Sequence, residues 1–115
     1  MRSLLLISVL ALGVVASARP AAAGDVRMYV HHEVNDYAAW RKVYDDFDAT
    51  RRKMGVTGQK VYRTIDKPND VTVTHDFDSA EKAKAFAASA ELKGAMAKAG
   101  VKGTPEIWLT TKAKK

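Results

Sequence analysis

Val26-Arg27-Met28-Tyr29-Val30-His31-His32-Glu33-Val34 alternates without a break. Val26, Met28, Val30, His32 and Val34 share one face, and Arg27, Tyr29, His31 and Glu33 share the other. That two-residue period is the signature of a strand with one buried side. Just downstream, Asn35 or Asp36 is placed to cap a helix. Tyr37, Trp40, Tyr44, Phe47, Arg51 and Met54 then recur at three- and four-residue steps, which predicts one helix with a single aromatic stripe. Gly55 falls where a left-handed C-terminal cap is wanted.

Two further strands follow, over Gly58–Ile65 and Val71–Phe77. Asp66-Lys67-Pro68-Asn69-Asp70 between them is dense in turn formers, so the two strands should make a hairpin. Asp78-Ser79-Ala80-Glu81 resembles a capping box that opens a second helical region. Ala80, Ala83, Phe86, Ala87 and Ala90 would be its narrow inner face. Ser89 and Glu91 can restart a turn through Leu92 and Met96 before Gly100 ends it. Gly103-Thr104-Pro105 leads into a last strand, Glu106–Thr111, in which Ile107 and Leu109 alternate with Trp108 and Thr110. The order is βαββαβ. With right-handed crossovers it gives an α+β, ferredoxin-like fold: an antiparallel four-stranded sheet with both helical regions on one face and strands one and three at the centre. The other face carries Tyr29, His31, Thr72, Thr74 and Trp108, a mixture suited to a partner sheet, so a homodimer is expected.

Upstream of this domain, Met1–Ala23 reads as an export signal. Arg2 is its positive end, Leu4–Val15 its apolar run, and Ala21-Ala22-Ala23 its small-residue cleavage site. The apolar run is short for a bilayer span, which takes roughly 20 residues. The expected product is therefore one exported domain, residues 24–115, periplasmic or secreted, with no stable membrane anchor after cleavage. The 115-residue chain has no cysteine, which excludes thiol chemistry and disulfides, and carries a net charge of +6. Loss of Arg2 and Arg19 would lower that charge to about +4, with Lys112, Lys114 and Lys115 forming a polar tail. No basic run is interleaved with aromatics, so nucleic acid is not an expected partner.

His32-Glu33-Val34-Asn35-Asp36-Tyr37-Ala38-Ala39-Trp40, Val61-Tyr62-Arg63 ahead of Asp66-Lys67-Pro68-Asn69-Asp70-Val71, and Leu92-Lys93-Gly94-Ala95-Met96 continuing to Gly100-Val101 form a set. Through these segments the chain resembles the dimeric α/β-barrel superfamily, and most of all its small bacterial proteins of the antibiotic biosynthesis monooxygenase type. The resemblance implies a pocket inside each subunit, between sheet and helices. It also implies a range of activities, among them oxidation of phenolic compounds by O2 without a cofactor, heme degradation, isomerisation and cyclisation. The heme-degrading branch carries an Asn–Trp–His set in that pocket. This chain offers Trp and His but no Asn at a pocket-facing strand position.

Candidate chemistry centres on His32 and His75, each in register with apolar neighbours and so facing the helices. A buried imidazole is held neutral and able to accept a proton near pH 7. Abstraction of a proton from a phenol or enol is what cofactor-free oxygenation requires. Both histidines are thus the expected catalytic residues, with Tyr37, Trp40, Tyr44 and Phe86 as an aromatic wall for a small apolar or aromatic ligand. Competing readings are a non-catalytic binding module, a heme protein with His32 or His75 as axial ligand, and a purely structural domain whose cleft is filled by Trp40, Tyr44 and Phe86. His31 and His32 point to opposite faces and cannot clasp one ion, so no metal site is expected. Arg51-Arg52-Lys53 reads as a solvated helix end complementing the helix dipole, although Arg51 falls on the inner stripe.

Overall fold

The computed structural model describes residues 25–114; the segment read as an export signal lies outside the described residues. Its elements run β1 (Val26–Val34), α1 (Tyr37–Asp46), α2 (Asp48–Lys53), β2 (Val56–Thr64), β3 (Lys67–Phe77), α3 (Ala80–Ala87), α4 (Ala90–Lys98) and β4 (Val101–Thr111). The four strands form one antiparallel sheet in the order β2-β3-β1-β4, so β1 and β3 are central. This is the ferredoxin-like α+β arrangement. Alternation in β1 is as the sequence dictates: its five inward residues are all buried, and four of them are apolar.

Local differences from the sequence pattern have physical causes. The expected single helix over Tyr37–Met54 is two helices meeting at Phe47. There the backbone N–H is shared between the carbonyls of Val43 and Tyr44, at 3.1 and 3.2 Å, and the turn tightens without moving the aromatic stripe off the sheet. Asp36 is the cap of α1, its carboxylate accepting from Ala39 N at 2.9 Å. Ser79 and Ser89 cap α3 and α4 in the same way. Glu81 does not close a box on Ser79, because the N–H that Ser79 accepts belongs to Lys82. Gly55 has φ of 105°, the left-handed conformation that ends α2. A Cβ there would also lie 2.9 Å from Lys82 Cδ, so the lysine side chain would have to shift as well.

The hairpin turn is shorter than the turn-forming residues suggest. Thr64 pairs with Lys67, which leaves Ile65 and Asp66 at the tip, and Asp66 takes φ of 68°. Lys67, Pro68 and Asn69 belong to β3 after all. The pairing of β1 with β3 ends at Asp70, so Pro68 sits where no β1 partner needs its missing N–H. Likewise β4 begins at Val101, not Glu106. Gly103, with φ of 65°, absorbs a register shift opposite His31 and Glu33 and so makes a bulge inside the strand.

The core lies between sheet and helices in two contiguous clusters. One gathers Met28, Val30, Phe77, Ala83, Phe86 and Leu92, and the other Val34, Trp40, Val71, Val73 and Ala99. Of the small-residue face expected on α3, Ala83 is buried and Ala87 half-buried, but Ala80, the first residue of α3, and Ala90, which opens α4 beyond the break at Ala88, are exposed. On the helix-free face, Tyr29 stacks on Trp108 with ring centres 5.1 Å apart and planes 4° from parallel. Arg27 pairs with Asp76 at 2.6 Å on the same face.

Candidate functional site

Between the sheet and the helices lies a narrow apolar cleft, with a cavity of about 40 Å³ that is partly open to solvent. Its floor comes from β1 and β3, through Val30, His32, Val73 and His75. Trp40, Val43, Tyr44 and Phe47 stand over it from α1 and its end, and Arg51 closes one side from α2. Leu92, Ala95, Met96 and Ala99 supply the opposite wall. Alternation in the strands delivers both histidines to this side, and the helical repeat of three and four delivers the aromatics and Arg51.

The aromatic wall is continuous. Tyr37, Trp40 and Tyr44 stack along α1 at 5.7 and 4.9 Å, and His32 meets the Trp40 ring edge-on at 5.8 Å. His75 lies 6.5 Å from Tyr44 and 5.3 Å from Phe86. Several polar atoms in this apolar setting have no partner within the described residues: both ring nitrogens of His32, Nδ1 of His75, the Tyr44 hydroxyl and Nε of Arg51. Buried polar groups are ordinarily satisfied. Four such side chains lie around the one cleft.

Burial governs their titration. Desolvation pushes the His32 imidazole down to about 4, with the charge of neighbouring His31 adding to the effect. His75 falls to about 3, again from burial first and then from the Arg51 guanidinium. Burial raises the Tyr44 hydroxyl, so it stays protonated and can donate. At neutral pH the cleft therefore holds two neutral imidazoles, a phenol and one cation.

These shifts fix the acid response of the fold. Above about pH 6.5 both imidazoles are neutral, folded or unfolded. As pH falls below that value the unfolded chain takes up protons and the native chain does not, so stability declines until pH passes through the folded values near 4 and 3. At about 1.4 kcal/mol per pKa unit, His32 withdraws on the order of 3 kcal/mol and His75 on the order of 5 kcal/mol. His31 runs the other way. Its hydrogen bonds to Glu106 (2.8 Å) and Asp70 (2.9 Å) raise its pKa, which adds stability below about pH 6.5 that is lost as pH rises through the folded value. His31 is partly solvated, so the buried pair dominates. The urea midpoint is expected to drop steeply between about pH 6.5 and about pH 4.5. A flat profile would mean the two imidazoles are not buried as described.

Of the six side chains singled out in the sequence, His32, His75, Trp40 and Tyr44 line the cleft together. Tyr37 stands behind Trp40, its outer face covered by the Arg63 guanidinium at 3.8 Å. Phe86 is fully buried behind His75 and Phe77. Arg51 departs from the solvated helix end expected of it. It is only 2% exposed, donates to the Tyr44 carbonyl at 2.5 Å and to Asp48 at 3.2 Å, and lies 3.8 Å over the Tyr44 ring. Its neighbours Arg52 and Lys53 are exposed as expected. The signal was in the spacing, since Arg51 continues the inward stripe one turn beyond Phe47. The α4 wall was legible only as a helical turn, because Leu92 and Met96 alone do not say what they face.

The fold and its cleft define a class: a ferredoxin-like α+β domain with an internal pocket between sheet and helices. Solved structures with this fold include SnoaB, a cofactor-independent oxygenase from Streptomyces nogalater, at a TM-score of 0.64 and 17% identity over 78% of this chain and 94% of that one. An antibiotic biosynthesis monooxygenase-type protein from Caulobacter crescentus matches at 0.63 and 18% identity, over 82% and 94% of the two chains. A protein of unknown function from Nitrosomonas europaea matches at 0.62 and 18%, over 78% and 91%. At such identities the likeness establishes the fold. The sequence matches no protein-family model and no curated protein.

Proposed function

We propose that this protein is an exported homodimer whose cleft binds a small, flat aromatic molecule and oxidises it with O2 without a cofactor. The carrying observation is the set of unpaired polar atoms on His32, His75, Tyr44 and Arg51 around an otherwise apolar cleft. The cofactor-independent oxygenase among the proteins of like fold lends support. In the proposed reaction a neutral imidazole of His32 or His75 accepts the proton of a phenol or enol. An imidazole so depressed is a weak base in the empty cleft, and the oxyanion formed beside it restores its affinity for the proton. Arg51 stabilises the same anion. The electron-rich anion then reacts with O2. For an enolisable methylene ketone the carbon loses two hydrogens, one oxygen atom becomes the new carbonyl, and the other leaves as water.

The homodimer reading rests on the helix-free sheet face. Trp108 is 46% exposed there, flush against Tyr29, and Tyr62 is 50% exposed. Aromatic rings of this kind are enriched at the centres of interfaces. Native mass spectrometry of the protein purified from its exported fraction tests these elements together. A dimer lacking residues 1–23 and carrying a small aromatic adduct is the expected species. A full-length monomer without adduct would contradict export, dimer and ligand alike. Retention of an adduct that the protein does not turn over in air would favour a non-catalytic binding module.

A further inference from the structure

Arg51 is the one charged side chain among the described residues that line the cleft, and the lining includes no carboxylate. Its only acidic partner is shared. Asp48 Oδ1 accepts from Arg51 at 3.2 Å while Oδ2 pairs with Arg52 at 3.1 Å, and Asp48 is itself 35% exposed. One partly solvated carboxylate thus serves two guanidiniums, and the buried one is otherwise met only by the neutral Tyr44 carbonyl and ring, with no carboxylate of its own among the described residues. Among the described residues Arg51 Nε has no partner, and neither have the nearby Tyr44 hydroxyl and His75 Nδ1. A buried cation is costly unless paired, and one with a free donor beside an apolar cavity is suited to an anion brought in by a ligand.

We infer that the occupant of the cleft carries an oxyanion, a carboxylate or an acidic phenolate, on its apolar body, and that Arg51 seats it with Tyr44 donating alongside. This rests on the ligand-binding reading of the cleft and narrows it to aromatic acids. Arg51 would then set specificity: the aromatic wall accepts any flat ring, and only the guanidinium distinguishes an anion from its neutral isostere.

Two matched pairs of probes test this by calorimetric titration at about pH 8.5, where all the imidazoles in the cleft are neutral. They are 2-naphthoate against 2-naphthamide, and 4-nitrophenolate against 4-nitroanisole. In at least one pair the anion is expected to bind about ten- to a hundredfold more tightly, and the pair concerned tells carboxylate from phenolate. Arg51→Gln should erase the gap while leaving the neutral probe's affinity, and Arg51→Lys should keep part of it. Asp48→Asn, which keeps the size of a partly exposed side chain and removes its charge, should widen the gap several-fold and so tests the guanidinium even if Arg51→Gln does not fold. Equal affinity within both pairs overturns the inference and leaves the cleft a neutral-ligand site, as does a gap unmoved by Asp48→Asn and Arg51→Lys. Binding of none of the four probes overturns the cleft reading as well.

Discussion

Phe86→Ala is expected to lower the unfolding free energy by about 3–5 kcal/mol, the range for emptying an aromatic site in a packed core. Phe86 is fully buried and is the only large side chain that α3 drives into the sheet. Its ring lies 5.7 Å from Phe77, 5.3 Å from His75 and 6.3 Å from Phe47, so it ties β3, α3 and the α1–α2 junction to one another. The remaining inward residues of α3 are alanines, which cannot collapse to fill the gap. Against the roughly 5–15 kcal/mol typical of a domain this is a large fraction. Urea titration reads it directly. A loss below about 1 kcal/mol would show that α3 does not pack on the sheet through this ring.

His75→Ala carries the largest expected effect on turnover, a fall of about a hundredfold or more, the scale of a lost general base. His75 faces the cleft beside Tyr44 and within the field of Arg51, where an anion would form. His32→Ala should reduce turnover less if His75 is the base and more if the roles are reversed, since both imidazoles face the same volume. Neither substitution strands a charge at neutral pH, but each empties a buried ring site, so folding of both variants is checked by circular dichroism before rates are compared. Oxygen uptake with anthrone, a flat enolisable ketone, measures the rate. Unchanged rates in both variants would remove the histidines from the chemistry and leave the cleft a binding site.

Much of this was legible in the sequence because strand and helix periods report directly which way a side chain points. The alternation from Val26 to Val34 put His32 among buried valines, and His75 followed from Val73 and Phe77. The three- and four-residue spacing placed Trp40 and Tyr44 opposite them. What the pattern missed depends on tertiary geometry. Arg51 looked like a helix-end charge because composition favours solvation, although its place on the stripe carried the inward signal and its burial came with the packing of α2. Pro68 and Gly103 looked like strand breakers. Their tolerance depends on which neighbour strand is absent at Pro68 and on the bulge at Gly103. Tyr37 and Phe86 were rightly read as aromatics on inward faces, but spacing cannot tell a lining residue from one standing a layer behind it.

The three histidines offer the most direct single measurement, because two face the cleft and one faces away. His31 sits on the helix-free face between Asp70 and Glu106, while His32 and His75 line the cleft. Imidazole resonances followed by NMR through a titration with 2-naphthoate should move for His32 and His75 and stay fixed for His31. Movement of His31 alone, or of none, would contradict a ligand cleft between sheet and helices.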